Sequence, residues 1–180
     1  LQGQKDIQLI FRQVPVENVD RYQQVLNEYP HIVHLNPIWN KGTYWNQYFP
    51  LPEDVAHLVN LSYHCATVVN IGSTMALDFS WFDRPGLYLN YDHQPNQDWT
   101  VKDVYRFQHF KSMGSWDAVV WASTSSEILE KVKQIINQPE SVAQDRKLWL
   151  EQIIEPDTHS LASEKLAKAI VSLKETAQPS

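Results

Sequence analysis

The chain has 180 residues, 43% of them hydrophobic and 12% aromatic, an ordinary globular composition large enough for one sizeable core. Its 15 basic residues are outnumbered by 21 acidic ones, net −6, with no basic cluster, which argues against nucleic acid or an anionic membrane as main partner. One cysteine, Cys65, excludes an internal disulfide framework and a multi-cysteine metal site, and no apolar run reaches the length of a membrane span.

Any phosphate bound here must therefore be held locally, by backbone amides or a few placed cations. A cytoplasmic location is expected, with membrane association left to any part of the protein outside this chain. There is no signal peptide and no initiator Met. Opening in mid-pattern on Leu1-Gln2-Gly3, the chain reads as a single domain, 1–180, cut from a longer two-domain protein.

In chain order, the apolar run at 7–11 predicts a buried strand ended by Arg12, followed by a weak helical period over 16–28 closed near Pro30. A second strand is expected at 31–35. Residues 36–52, rich in Asn, Pro and aromatics (Trp39, Tyr44, Trp45, Tyr48, Phe49), form a long connection. Pro52-Glu53-Asp54 starts a helix carrying Val55, Leu58, Val59 and Ser62 on one face. Strand 67–71 breaks at Gly72-Ser73, and helix 74–82 stops before Arg84-Pro85. Strand 86–90, a polar loop over 91–100 and a helix over 101–111 follow. After strand 118–121, Ser123 with Glu127 sets up a capping box for a helix to about Asn137. Two more helices are expected, over 140–153 and 160–175.

Strands alternating with helices predict an α/β domain: a Rossmann-like, doubly wound, mainly parallel sheet with helices on both faces. Ligands of such sheets bind at the carboxyl ends of the strands, so the strand-to-helix turns are the places to look. The turn in Val68-Val-Asn-Ile-Gly-Ser-Thr-Met-Ala-Leu-Asp78 stands out. Gly72 permits a tight turn and close approach. The first amides of the following helix, with the helix dipole, favour an anion such as a diphosphate. The Ser73 and Thr74 hydroxyls add donors, and the Asp78 carboxylate is placed to accept from a ribose diol. The same residues also suit an ordinary turn with an N-cap and a first-turn acid. The turn is not a nucleoside-triphosphate P-loop, which needs a Lys, nor a G-x-G-x-x-G dinucleotide fingerprint.

Residues 54–90, from Asp54-Val-Ala-His through Asn70-Ile-Gly-Ser-Thr-Met-Ala-Leu-Asp78 to Asp83-Arg-Pro-Gly-Leu-Tyr-Leu-Asn90, resemble the donor half of GT-B glycosyltransferases. In that superfamily a helix leads to a strand, a small-residue turn, a helix carrying an acid, and a "G/D-x-P" step into the next strand. The segment is similar above all to bacterial surface-polysaccharide transferases, whose turn often reads Gly-Ser-Thr followed by Ala-Leu-Glu; here Asp78 replaces the Glu. Arg12 and Pro15 match a strand-end Arg-Pro-His-Pro-like turn in which Gln13 and Val14 depart from the pattern. The segment 155–170 is similar to the closing loop and helix of such chains.

The resemblance implies the C-terminal, donor-binding half of a GT-B fold. Gly72, Ser73 and Thr74 would contact the diphosphate of a nucleotide-sugar donor, the substrate, and Asp78 its ribose. Arg12 is a further phosphate candidate, or else an ion-paired strand end. The resemblance implies no cofactor and no metal, and an N-terminal acceptor domain supplying the acceptor and the general base. A nucleotide-sugar 2-epimerase shares the fold but usually carries an acid, Ser and paired glycines at this turn, unlike Asn70-Ile-Gly-Ser. The remaining alternative is a non-catalytic binding or interaction module on the same fold.

Other groups carry less. His31 and His34, three apart on a strand, face opposite sides, and His57 and His64 have no Cys or carboxylate cluster beside them to complete a metal site. Cys65 beside His64 is a buried thiol rather than a thiolate pair. Ser73 is not in a G-x-S-x-G elbow. Lys111 and Arg106, after the polar loop, would reach the same sheet edge as Gly72 and neutralise diphosphate charge, or else are surface cations. The aromatic stretch 39–49 suits stacking on a base or sugar, or meeting another domain.

Overall fold

A computed structural model describes residues 6–94, 98–154 and 159–176. Part of the polar loop expected at 91–100 and most of the loop before the last helix lie outside the described residues. The chain is mixed α/β, and its main strands are parallel.

The first unit is β1 (Ile10–Arg12), α1 (Asp20–Glu28) and β2 (Val33–Leu35), with the two strands parallel and Arg12 opposite Leu35. Tyr22 of α1 packs its ring 4.7 Å from Phe11, which also stacks on His34 at 5.5 Å, so aromatic contact seats the crossover helix on the pair. Arg12 is the last residue of the strand, as expected. The connection 36–52 is not structureless: β3 (Trp39–Asn40) and β4 (Phe49–Pro50) pair as an antiparallel hairpin. The Gln47 side chain closes its loop by accepting from the Thr43 and Tyr44 amides.

The second unit begins with α2 (Pro52–His64), which has Pro at its first position, where a missing N–H costs nothing. Then come β5 (Val68–Asn70), α3 (Met75–Trp81), β6 (Gly86–Leu89), α4 (Val101–Val104), α5 (Gln108–Lys111), β7 (Val120–Ala122), α6 (Ile128–Asn137) and α7 (Arg146–Ile153). The strands form one parallel ladder, β5-β6-β7. Successive residues of β6 face opposite sides. Tyr88 joins Ala76, Leu77, Phe110 and Trp149 on one face. Leu87 joins Val120, Val132 and Ile135 on the other. Helices therefore cover both faces of this ladder, which explains why β6 reads as a continuous apolar run. Gly86 is required for that packing: a Cβ there would stand 2.9 Å from Ala76 Cβ on α3.

The strands do not join into the single sheet expected. Among the described residues β1–β2 and β5–β6–β7 are separate ladders. The helix expected over 101–111 breaks into α4 and α5, because Phe107 is extended (ψ 144°) and restarts the chain. The region 140–153 is α-helical only from Arg146 onward, after a 3-10 turn over Pro139–Ser141. Glu127 reaches back to the Ser123 amide as a capping box would, with a 3-10 turn over Ser125–Glu127 between them and α6. The final helix, α8 (Ala162–Thr176), keeps Leu166 and Ile170 exposed.

The Asp-Arg-Pro step has a structural account. Asp83 adopts φ 62° just after α3, a conformation Asp tolerates better than most side chains. Its carboxylate holds Arg146 at 2.8 Å and Lys147 at 3.2 Å. Arg146 is buried and also donates to the Val142 and Ala143 carbonyls. This knot fastens the start of α7 to the end of α3.

Candidate functional site

The turn after β5 has the backbone expected of it. Gly72 sits at φ +53°, where a side chain is strained. Ser73 donates its amide to Asn70 Oδ1 at 3.0 Å, and Ser73 Oγ accepts from the Met75 amide at 3.2 Å. Two of the amides expected to point at a ligand are thus satisfied inside the turn. Thr74 is exposed, and its side chain makes no capping bond.

The close approach at Gly72 is made by the protein itself. A Cβ on Gly72 would press into Val104 Cγ1 and lie 3.2 Å from Phe110 and 3.3 Å from Tyr105. The α4–α5 segment therefore roofs the turn. Tyr105 donates its hydroxyl to the Leu89 carbonyl at 2.8 Å, and Tyr88 donates to the Ser73 carbonyl at 2.7 Å, so the two phenols brace the turn. Burial pushes Tyr105 up to about 12, against a backbone bond from Gly72, and pushes Tyr88 well above the ordinary tyrosine range. Neither phenol ionises near neutrality, and both act as hydrogen-bond donors.

Asp78 lies in α3, one turn past Thr74, and is half-buried. Burial pushes its carboxyl up, and the charge of Arg12 opposes that shift. Arg12, at the end of β1, thus acts on Asp78 through its charge, although it lies far from Asp78 in sequence. Arg12 is mostly buried and ion-paired, through Nη2 at 2.7 Å, with Asp54. Its Nε is buried and meets no acceptor among the described residues, and the same is true of Asn70 Nδ2 at the end of β5. Two buried donors at strand carboxyl ends thus lack partners, which buried polar groups seldom do.

Asp54 was legible only as part of a helix start. In the structure it is 3% exposed and accepts from Arg12, from Trp39 Nε1 at 2.7 Å and from the Ile38 amide at 2.9 Å. No local signal reveals this, because the Arg12 partner is 42 residues away. Lys111 sits exposed at the end of α5, one residue past the Phe110 that roofs Gly72. Arg106 is spent on Asp103 at 3.4 Å on the surface.

Trp39 is tied down by Asp54, whereas Tyr44 and Phe49 of the same stretch remain exposed. His34 bonds Gln13 through Nε2, and His31 lies in the turn before β2 rather than on it. An open cleft of about 470 Å³ lies beside the carboxyl ends of β1 and β2, lined by Gln13, Val16, Glu17, Asn36, Pro37 and Lys41 among others. Among the described residues no helix is long and apolar enough to cross a membrane, and no group of three or more His, Cys, Asp or Glu is arranged to hold a metal ion.

No family model matches the chain, and no curated protein or solved structure matches it significantly.

Proposed function

We propose that the chain is the nucleotide-sugar-binding half of a GT-B-like glycosyltransferase acting in surface-polysaccharide or glycan synthesis. In this reading β1–β2 and β5–β6–β7 are two runs of one Rossmann-like, doubly wound arrangement. A separate N-terminal domain brings the acceptor, and the work is done in the cytoplasm. The observation that carries the proposal is the left-handed Gly72 turn between β5 and α3, with Thr74 exposed where the helix begins and Asp78 one turn further on.

Each group has a chemical task. The Arg12 guanidinium, with an unspent Nε–H, supplies the cation and donor a diphosphate needs. Thr74 adds an exposed hydroxyl and amide. Asp78, without a hydrogen-bond partner among the described side chains, offers an acceptor to a ribose diol, and Arg12 favours its ionised form. Charge developing on the leaving nucleotide would be met electrostatically by the same cation.

A specific observation favours a second reading, a binding module without turnover. The Ser73 and Met75 amides are satisfied within the turn, and Val104, Tyr105 and Phe110 roof it. Calorimetric or NMR titration with UDP, CDP, GDP and dTDP tests the shared premise. A saturable response to at least one of them, stronger than to its nucleoside, is expected; none to any would sink the donor-site assignment. Sugar release from nucleotide donors by the full-length protein then separates an enzyme from a module.

A further inference from the structure

The cleft of about 470 Å³ at the carboxyl ends of β1 and β2 belongs to a different ladder from the Gly72 turn. Its volume is that of a small-molecule site, and strand carboxyl ends are where parallel sheets hold ligands. The chemistry of its lining decides which ligand suits it.

Charge comes first. Glu17 and Lys41 are the charged lining residues, one of each sign. Their charged neighbours keep the balance: Arg21 pairs with Glu17 at 2.9 Å, and Asp20 is bonded to Asn18 of the lining. Two charges of each sign make the cleft neutral as a whole. A bound anion would face the Glu17 carboxylate, and a bound cation the Lys41 ammonium.

Unspent hydrogen-bonding capacity comes second. Gln13 is 6% exposed, and its side chain is fixed: Nε2 donates to the Glu17 carbonyl at 3.2 Å, and Oε1 accepts from His34 Nε2 at 3.1 Å. Asn18 is used at both ends by Asp20. The Glu17 carboxylate accepts from Arg21 and Tyr22, which leaves it lone pairs to spare. Asn36 and Lys41 are exposed, and their side chains have no hydrogen bond or ion pair with the described residues. The open positions are thus mixed: Lys41 donates, Glu17 accepts, and Asn36 does both. A phosphate or carboxylate can only accept, whereas a hydroxyl does both. Val16, Val19 and Pro37 add apolar surface, with Val16 68% exposed.

We propose that this cleft binds a neutral sugar ring. Its C–H face lies on Val16, Val19 and Pro37, and its hydroxyls meet Asn36, Lys41 and Glu17 above the fixed Gln13 amide. The inference rests on the cleft and its lining, not on the donor-binding reading of the Gly72 turn.

The test is an NMR titration of the full chain, following the side-chain amide resonances of Asn36 and Gln13. The probes are the methyl glycosides of glucose, galactose, mannose and N-acetylglucosamine, with methyl glucuronide and glucose 1-phosphate as charged counterparts. A saturable response to at least one neutral glycoside is expected, with neither charged counterpart binding more tightly. Asn36→Ala and Lys41→Met lie at exposed positions and should each weaken that glycoside by about three- to tenfold, the worth of one hydrogen bond. No saturable response to any neutral glycoside overturns the inference. So does tighter binding of a charged counterpart, or wild-type affinity in both variants.

UDP and UDP-glucose complete the set. A response to UDP at the Gly72 and Ser73 amides, with none to any glycoside, overturns the cleft and leaves the donor reading standing. A response to a glycoside, with none to UDP, does the reverse. Tighter binding of UDP-glucose than of methyl glucoside, with Asn36 shifted, traces the sugar to a nucleotide donor. Equal affinity traces it to a free glycan end.

Discussion

Substituting Gly72 by Ala separates the two constraints on the turn, backbone conformation and the roof above it. The conformational part is the cost of a left-handed non-glycine residue, about 1–2 kcal/mol. The steric part comes from the added methyl, which would lie closer than 3.0 Å to Val104 Cγ1, with Phe110 and Tyr105 at 3.2 and 3.3 Å. Overpacking of this kind typically costs about 1–3 kcal/mol. Gly72→Ala is therefore expected to lose about 2–5 kcal/mol. Gly114 is the internal control: it shares φ +53° but a Cβ there meets nothing within 4 Å. Gly114→Ala should show only the conformational part, about 1–2 kcal/mol. Urea unfolding at constant m-value reads both losses. Adding Val104→Ala removes the nearest clashing atom, so the Gly72→Ala, Val104→Ala double variant should lose less than the sum of the singles by about 1 kcal/mol or more. Equal losses at Gly72 and Gly114, with additive behaviour in the double variant, would refute the roof.

Two further expectations address Asp78 and the Asp83–Arg146 knot. Asp78→Asn should weaken a ribonucleoside diphosphate by about one to two decades, the worth of a charge-assisted hydrogen bond, and should leave a 2′,3′-dideoxy ligand almost unaffected in calorimetry. The same variant should not destabilise the protein at neutral pH. The folded Asp78 carboxyl lies above its unfolded value through burial, so the stability it contributes is present at low pH and lost as pH rises through the folded pKa. Asn therefore gains on Asp above that pH, a difference that thermal melts at pH 3 and pH 7 reveal. Arg146→Met strips the donor from two carbonyls, Val142 and Ala143, in a buried corner and should cost about 2–4 kcal/mol in urea unfolding. At Asp83, burial works against the charge but Lys147 and Arg146 outweigh it and hold the carboxyl below its ordinary range. The contribution of that ion pair is present above the unfolded carboxylate pKa and fades as pH falls through the folded one, so Asp83→Asn should narrow the stability gap to the wild type in strong acid.

What the sequence disclosed and what it withheld divide by distance along the chain. The Val68–Asn70 strand, the Gly72 turn and the Met75–Trp81 helix were readable because a β-branched run, a left-handed glycine and a periodic apolar face are local signals. The hairpin inside 36–52 was not. Its strands are two residues each, too short for alternation to register, and its loop is closed by one glutamine side chain. The break between α4 and α5 was hidden for a related reason: Phe107 carries no Gly or Pro signal for a break, yet its backbone is extended, and Tyr105 and Phe110 on either side of it lie over Gly72. The site shows the same division. Gly72, Ser73, Thr74 and Asp78 form one continuous stretch and could be nominated from it. Whether the Ser73 amide faces a ligand or an Asn70 side chain is decided by a rotamer, which no spacing encodes. Asp54 marks the limit most clearly. An acid in the first turn of a helix is a routine dipole partner when exposed, and nothing within α2 distinguishes it from Glu53. It becomes the anchor of Arg12 only because β1 and the hairpin close over it, excluding water and leaving its charge to be met by Arg12, Trp39 and the Ile38 amide. Burial converts an ordinary helix-start acid into the partner of a distant arginine and tryptophan, and burial is a property of the assembled fold.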